Sequence, residues 1–213
     1  SAQILKSYST SHVTGSSHVG GLIGRNNFGY VSGTYSTGPV LGTNYVGGLV
    51  GTNENISTVI ESYSTGQVTG GSYVGGLVGW NNGGYASSSY STGHVKGTTY
   101  VGGLVGMNGG VVWHSYSTGL VSGTNTVGGL LGSNNGTVTA SFWDRETSGR
   151  NNGVGSGNTL GIAPLDTEAM MHASSFTSEG WDFANIWFLI EGETRPFLRS
   201  EWSTTIRNAH QLQ

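Results

Sequence analysis

The 213-residue chain contains no cysteine, so disulfide staples and cysteine-based zinc sites are excluded. Charge is nearly as scarce. Asp, Glu, Lys and Arg make up 9% of residues, with a formal net charge of −3. No basic stripe exists to neutralise phosphates, which argues against a nucleic-acid partner. No run of apolar residues is long enough to span a membrane. The opening residues, SAQILKSYST, do not have the layout of a secretory leader, so the chain reads as mature or as a segment of something larger.

Glycine is abundant, at 39 residues. Alone, that would suggest a flexible linker. Here it accompanies 35% hydrophobic and 10% aromatic residues, enough apolar surface for a core, and disorder is disfavoured.

The glycines belong to a repeat. SYSTSHVTGSSHVGGLIGRN starts at Ser7. It returns as TYSTGPVLGTNYVGGLVGTN at Thr34, SYSTGQVTGGSYVGGLVGWN at Ser62, SYSTGHVKGTTYVGGLVGMN at Ser89 and SYSTGLVSGTNTVGGLLGSN at Ser115. Its aromatic marker falls at Tyr8, Tyr35, Tyr63, Tyr90, Tyr116 and Phe142, giving spacings of 27, 28, 27, 26 and 26. Such periods mark solenoids. Helices would not tolerate so many glycines, each costing about 1 kcal/mol against Ala. Short Val-, Tyr- and Thr-rich runs closed by Gly or Asn read as strands. Three are expected per rung: around Tyr-Ser-Thr-Gly-x-Val, around Val-Gly-Gly-Leu-Val, and before the next Ser-Tyr. Identical segments can stack in parallel at about 4.8 Å per rung. The expected fold is therefore all-β: a right-handed parallel β-solenoid of about five three-strand rungs.

Stacking converts sequence positions into columns. Leu22, Leu49, Leu77, Leu104 and Leu130 should point inward, as should the valines at 19, 46, 74, 101 and 127 and at 13, 40, 68, 95 and 121. Because Leu and the following residue are both apolar, alternation alone cannot bury both; a bulge or corner near Gly-Gly would solve this, its position left open. Asn26, Asn53, Asn81, Asn108 and Asn134 form a turn column whose amides can bond from rung to rung.

The repeated VGGLVG-x-N core, with YSTG-x-V before it, resembles the GLUG motif family. Such repeats occur in large bacterial surface proteins, among them filamentous-haemagglutinin-like adhesins and IgA-specific metallopeptidases. The tail resembles the segment that follows such arrays, through Phe142-Trp143-Asp144-x-Glu146-Thr147-Ser148-Gly149, Gly180-Trp181-Asp182-Phe183, Ile186-Trp187 and Arg195-Pro196-Phe197-Leu198. The resemblance implies secretion, a β-helical rod and attachment or display. It supplies no catalytic motif: the HExxH of the peptidases is absent.

Composition changes near residue 142, since 14 of the 19 charged residues lie at or after Asp144. The expected organisation is a solenoid over 1–142, a C-terminal cap over 143–202 and a tail or linker over 203–213. Such a cap would cover the exposed strand edge. Within it, 165–171 reads as a short helix capped by Asp166 or Thr167, 150–158 as a flexible crossing, and 186–191 and 196–198 as strands.

Chemistry is sparse. Asp144 and Glu146 could pair or bind calcium, but calcium takes six or more oxygens, and ion pairing is the simpler reading. His12 and His94 share a column without converging ligands. No cofactor, metal site or catalytic residue is expected. The candidate binding feature is the Tyr8, Tyr35, Tyr63, Tyr90 and Tyr116 column, which forms an aromatic stripe if it faces outward and a buried stack if it does not. Tyr45, Tyr73 and Tyr100 make a second row, broken at His18 and Thr126. Thr10, Thr37, Thr65, Thr92 and Thr118 make a third, which lacks the paired Thr-x-Thr of an ice-ordering surface. The expected role is a non-catalytic extracellular adhesin or stalk module, its partner a host or matrix glycan or protein. The alternative is a structural subunit that self-associates through its N-terminal edge into a surface filament.

Overall fold

The computed structural model describes residues 2–201. From Gln3 to Leu165 the chain winds as a parallel β-solenoid of about six turns. The second coil is representative. Tyr35–Ser36, Val40–Leu41, Asn44–Gly47, Val50–Glu54 and Thr58–Ile60 follow one another. Each pairs in parallel with its counterpart one coil away. Five sheets result, numbered I to V in the order the coil visits them. Sheet I has seven strands, II and III have five each, and IV and V have six each. Five short strands thus replace the expected three, because both longer runs break at glycine corners.

The second of these corners accounts for the Val-Gly-Gly-Leu-Val-Gly string. The Leu49 and Val50 N–H groups both donate to the Leu77 carbonyl, at 3.0 Å each. The chain turns between them, so both side chains enter the same core and both are fully buried. At this turn sheets III and IV meet backbone to backbone. A Cβ on Gly47 would overlap the Val50 carbonyl oxygen, and one on Gly48 the Gly76 carbonyl oxygen and Ser64 Oγ. One on Gly51 would press on the His18–Val19 peptide.

The apolar interior has two channels. One joins the Leu column and its following residue to sheet V through Val31, Val59, Ala86, Val112 and Val138. The other packs the valines of sheets II and III together. Each fully buried Val or Leu contributes roughly 1.5–3 kcal/mol; the second coil alone buries Val40, Val46, Leu49, Val50 and Val59.

The solenoid continues past residue 142, which lies inside the strand Ser141–Asp144. Trp143 occupies the column that holds Ser117 below it and packs with Val154 and Ile162 over the end of the first channel. Arg145–Ser148 forms one helical turn; the Asp144 carboxylate accepts from the Glu146 and Thr147 N–H groups, and Gly149 closes it at φ 65°. Residues 150–158 are not a flexible crossing: Val154–Gly157 adds a strand to sheet IV, and Ile162–Leu165 then adds one to sheet I.

The helix expected over 165–171 shrinks to a 3₁₀ turn, Ala169–Met171. Leu165 ends a strand, Asp166 pairs with Arg145, and the Thr167 hydroxyl donates to Asp144, so neither proposed cap is available. Beyond it come a short helix, Ser174–Thr177, and an antiparallel pair, Trp187–Phe188 with Phe197–Leu198. The expected tail over 203–213, and Trp202, lie outside the described residues. Among the described residues, no helix is long and apolar enough to cross a membrane.

The corner makes a sharp prediction. Gly76→Ala would drive a Cβ into the Gly103 carbonyl oxygen and Ser91 Oγ, and should cost about 3 kcal/mol or more in denaturant unfolding. Gly83→Ala meets no atom within 4 Å and opposes only a φ of 73°, so about 1 kcal/mol is expected. Equal losses would contradict the close approach of the two sheets.

Candidate binding surface

Sheet I carries the tyrosines at 8, 35, 63, 90 and 116. Neighbouring rings stack at 4.9–5.1 Å and within 6° of parallel. Residues 166–201 fold back along this flank instead of closing only the end of the rod. Met170, Phe176, Trp181, Trp187 and Leu198 form one apolar cluster with Tyr63, Tyr90, Tyr116 and Phe142. Exposure therefore falls from 61% at Tyr8 to 0% at Tyr90 and Tyr116. Only Tyr8 and part of Tyr35 remain open, so this column does not present a five-ring stripe to a partner.

Polar contacts fix the lobe in place. The Trp181 indole N–H donates to the Ala140 carbonyl at 2.9 Å, and the Tyr116 hydroxyl donates to the Pro196 carbonyl. Asp144, fully buried, receives Arg195 at 2.6 Å and the Thr167 hydroxyl at 2.8 Å. Burial opposes its charge, but these donors and the Thr147 N–H outweigh it and hold the carboxyl below its usual range. Glu146 accepts from the Thr167 N–H. The two acids thus anchor the lobe.

Glu201 is a buried carboxyl that no motif or repeat column marks. It accepts from the Tyr90 hydroxyl at 2.8 and 2.9 Å and from the Leu198 N–H at 2.8 Å, with Tyr63 also bonded. Burial pushes its pKa up to about 7, against the opposing pull of these donors.

A second aromatic column runs along sheet III. His18, Tyr45, Tyr73, Tyr100 and Thr126 stand at one repeat position, all half-buried, with φ between 53° and 56°. A bulky residue in this left-handed conformation is strained, and Gly or Asn would adopt it at lower cost. The side chains stack: His18–Tyr45 at 4.8 Å, Tyr45–Tyr73 at 4.8 Å and Tyr73–Tyr100 at 5.0 Å. Trp80, half-buried on sheet IV, leans against Tyr45 at 5.4 Å and Tyr73 at 6.3 Å. Faces within the stack are covered by neighbours, so the column presents ring edges and hydroxyls to its surroundings.

Two further columns bond along the rod. The Asn26 amide donates to Asn53 Oδ1 at 2.9 Å, and the pattern repeats through Asn81, Asn108 and Asn134 at 2.8–2.9 Å. The last amide donates to the Asn158 carbonyl. All five are buried. The Ser-Tyr serines form another column: each hydroxyl from Ser62 to Ser141 accepts the N–H of its counterpart one coil earlier. Each also donates to the carbonyl two residues before it. Their recurrence, broken only by Thr34, was visible in the repeat, but no side-chain role followed from it. Among the described residues, no cluster of His, Asp and Glu could hold a metal ion; His12 and His94 each lie only near a hydroxyl.

One family model, that of the GLUG motif, matches residues 42–69. That segment is one period, and equivalent segments stack on it in register above and below. The chain thus carries a GLUG motif at residues 42–69, within a repeat whose other copies stack on it. A search of curated proteins and one of solved structures each gave no match.

Glu201 generates a prediction. Its folded pKa, about 7, lies above its ordinary 4.5. The folded state therefore holds this proton more tightly, and the associated stability is complete below pH 4.5. It should be lost as pH rises from 4.5 to 7, by on the order of 3 kcal/mol, and stay flat above. Denaturation across pH should show this fall, and Glu201→Gln should flatten it. An unchanged slope in the variant would assign the effect elsewhere.

Proposed function

We propose that this chain is a non-catalytic binding or stalk module of an extracellular surface protein, and that it meets a protein partner along sheet III. GLUG repeats wound as a solenoid are consistent with a structural extracellular repeat protein. The observation that carries the reading is the half-buried column of His18, Tyr45, Tyr73 and Tyr100 beside Trp80. Five coils hold that position in a strained backbone conformation, and four of them place a ring there. Ring edges and phenol hydroxyls suit a protein surface, where Tyr and Trp serve as rigid anchors. A sugar that packs on aromatic faces finds these faces occupied.

End-to-end assembly is the second reading. Among the described residues, the first coil has one bare backbone edge in every sheet, and Tyr8 leaves one ring face uncovered. A coil of a second copy, or a further coil of the same polypeptide, fits that edge.

The test is immobilised protein screened against matrix proteins and glycans. Tyr73→Gly relieves the backbone strain as it removes a ring, so stability should change by no more than about 1 kcal/mol. Tyr73→Gly and Trp80→Ala should each weaken partner binding at least tenfold, about 1.4 kcal/mol. Binding unchanged by both variants would remove sheet III from the interface. Hydrolysis of any panel member would overturn the non-catalytic assignment, and concentration-dependent filaments would favour assembly.

A further inference from the structure

The lobe does more than cover tyrosines. Between it and the corner of sheets I and II lies a cleft of about 640 Å³, within the size range of ligand pockets. One wall is Thr65, Thr92 and Thr118, three successive members of one column. Their backbones bond identically, each N–H to the serine carbonyl one coil below. Among the described residues their hydroxyls make no bond to another protein group, so they stand as a row of donors and acceptors about 4.8 Å apart. The facing wall is mixed: Phe197 and Met171 are apolar, and Arg195 adds a guanidinium.

We infer that this cleft binds a neutral linear oligosaccharide, its hydroxyls matched to the threonine row and its apolar ring faces set against Phe197 and Met171. The pairing of a polar row with an apolar wall suits a molecule whose edges carry hydroxyls and whose faces carry C–H groups. Three hydroxyls span about 10 Å at this coil spacing, room for about two linked sugar rings. Charge argues against an acidic sugar: Arg195 is already paired with Asp144, and the Glu193 carboxylate stands exposed on the same lining. Thr37 and Thr10 continue the row beyond the cleft, increasingly exposed, so the groove accepts an internal stretch of a polymer as well as its end. The lobe also shows why the threonines are no ice-ordering face: Thr118 is buried, and Thr65 and Thr92 lie within the cleft.

The inference does not depend on the sheet III interface, and one experiment separates the two. The intact chain is titrated calorimetrically with hexasaccharides of cellulose, xylan, mannan and chitin, and with sialylated and uronic-acid oligosaccharides. At least one neutral hexasaccharide should bind. Thr92→Val, which removes a hydroxyl and keeps the shape, should weaken it at least fivefold with the melting temperature unchanged. Tyr73→Gly should leave it intact. No binding by any neutral probe, binding of acidic sugars alone, or binding indifferent to Thr92→Val would overturn the assignment. Binding lost with Tyr73→Gly but kept with Thr92→Val would move the sugar to sheet III.

Discussion

At the corner of every coil, sheets III and IV approach until main chain lies on main chain. Three glycines per repeat make that approach feasible, because a Cβ there would overlap a carbonyl oxygen or a peptide on the same or the neighbouring coil, or, at Gly129, the Trp143 ring. The consequences spread outward. The turn lets Leu and its successor point into one core. It fixes the register of sheet III against sheet IV, and so brings Trp80 beside the sheet III rings. It also demands that successive coils be nearly identical, since most of these glycines lie against the coil above or below. Identical coils then line up like side chains, and the Asn, Ser and Tyr columns follow.

The rod presents two different flanks. On sheet I the lobe draws three tyrosines out of solvent, with Glu201 bonded beneath it and the Asp144–Arg195 pair beside it. On sheet III the rings stay half-buried, with Trp80 against two of them. The same repeat therefore yields one flank for holding a lobe and another for meeting a partner. The ion pair is strongly placed but serves position more than net stability, since the desolvation of buried charges offsets much of their attraction.

Much of this was legible in the sequence, for a physical reason. Stacking gives every copy the same environment, so the period, the apolar columns and the Asn column all show directly. That a bulge or corner near Gly-Gly would let both Leu49 and Val50 point inward was visible too, since the two cannot alternate. Its place and the two extra strands per coil were not, because they depend on contacts between coils. The lobe was the least legible part. Asp144 and Gly149 flank a single helical turn with ordinary capping chemistry, yet Asp-x-Glu also reads as an alternating strand. Nothing near Glu201 in the chain marks its partner, Tyr90, 111 residues away. Whether Tyr63 is open or covered is likewise decided by a segment more than a hundred residues later.

The central claim is that like residues lie over like in adjacent coils. Because the chain lacks cysteine, a disulfide reports on it directly. Thr69 and Lys96 are register partners on sheet II, and Ser122 lies one coil further. Thr69→Cys with Lys96→Cys should close an intramolecular disulfide under mild oxidation. Thr69→Cys with Ser122→Cys should stay open, because two coils separate the Cα atoms by about 9.6 Å, beyond the reach of the bond. Closure of the second pair, or of neither, would contradict the stacked register.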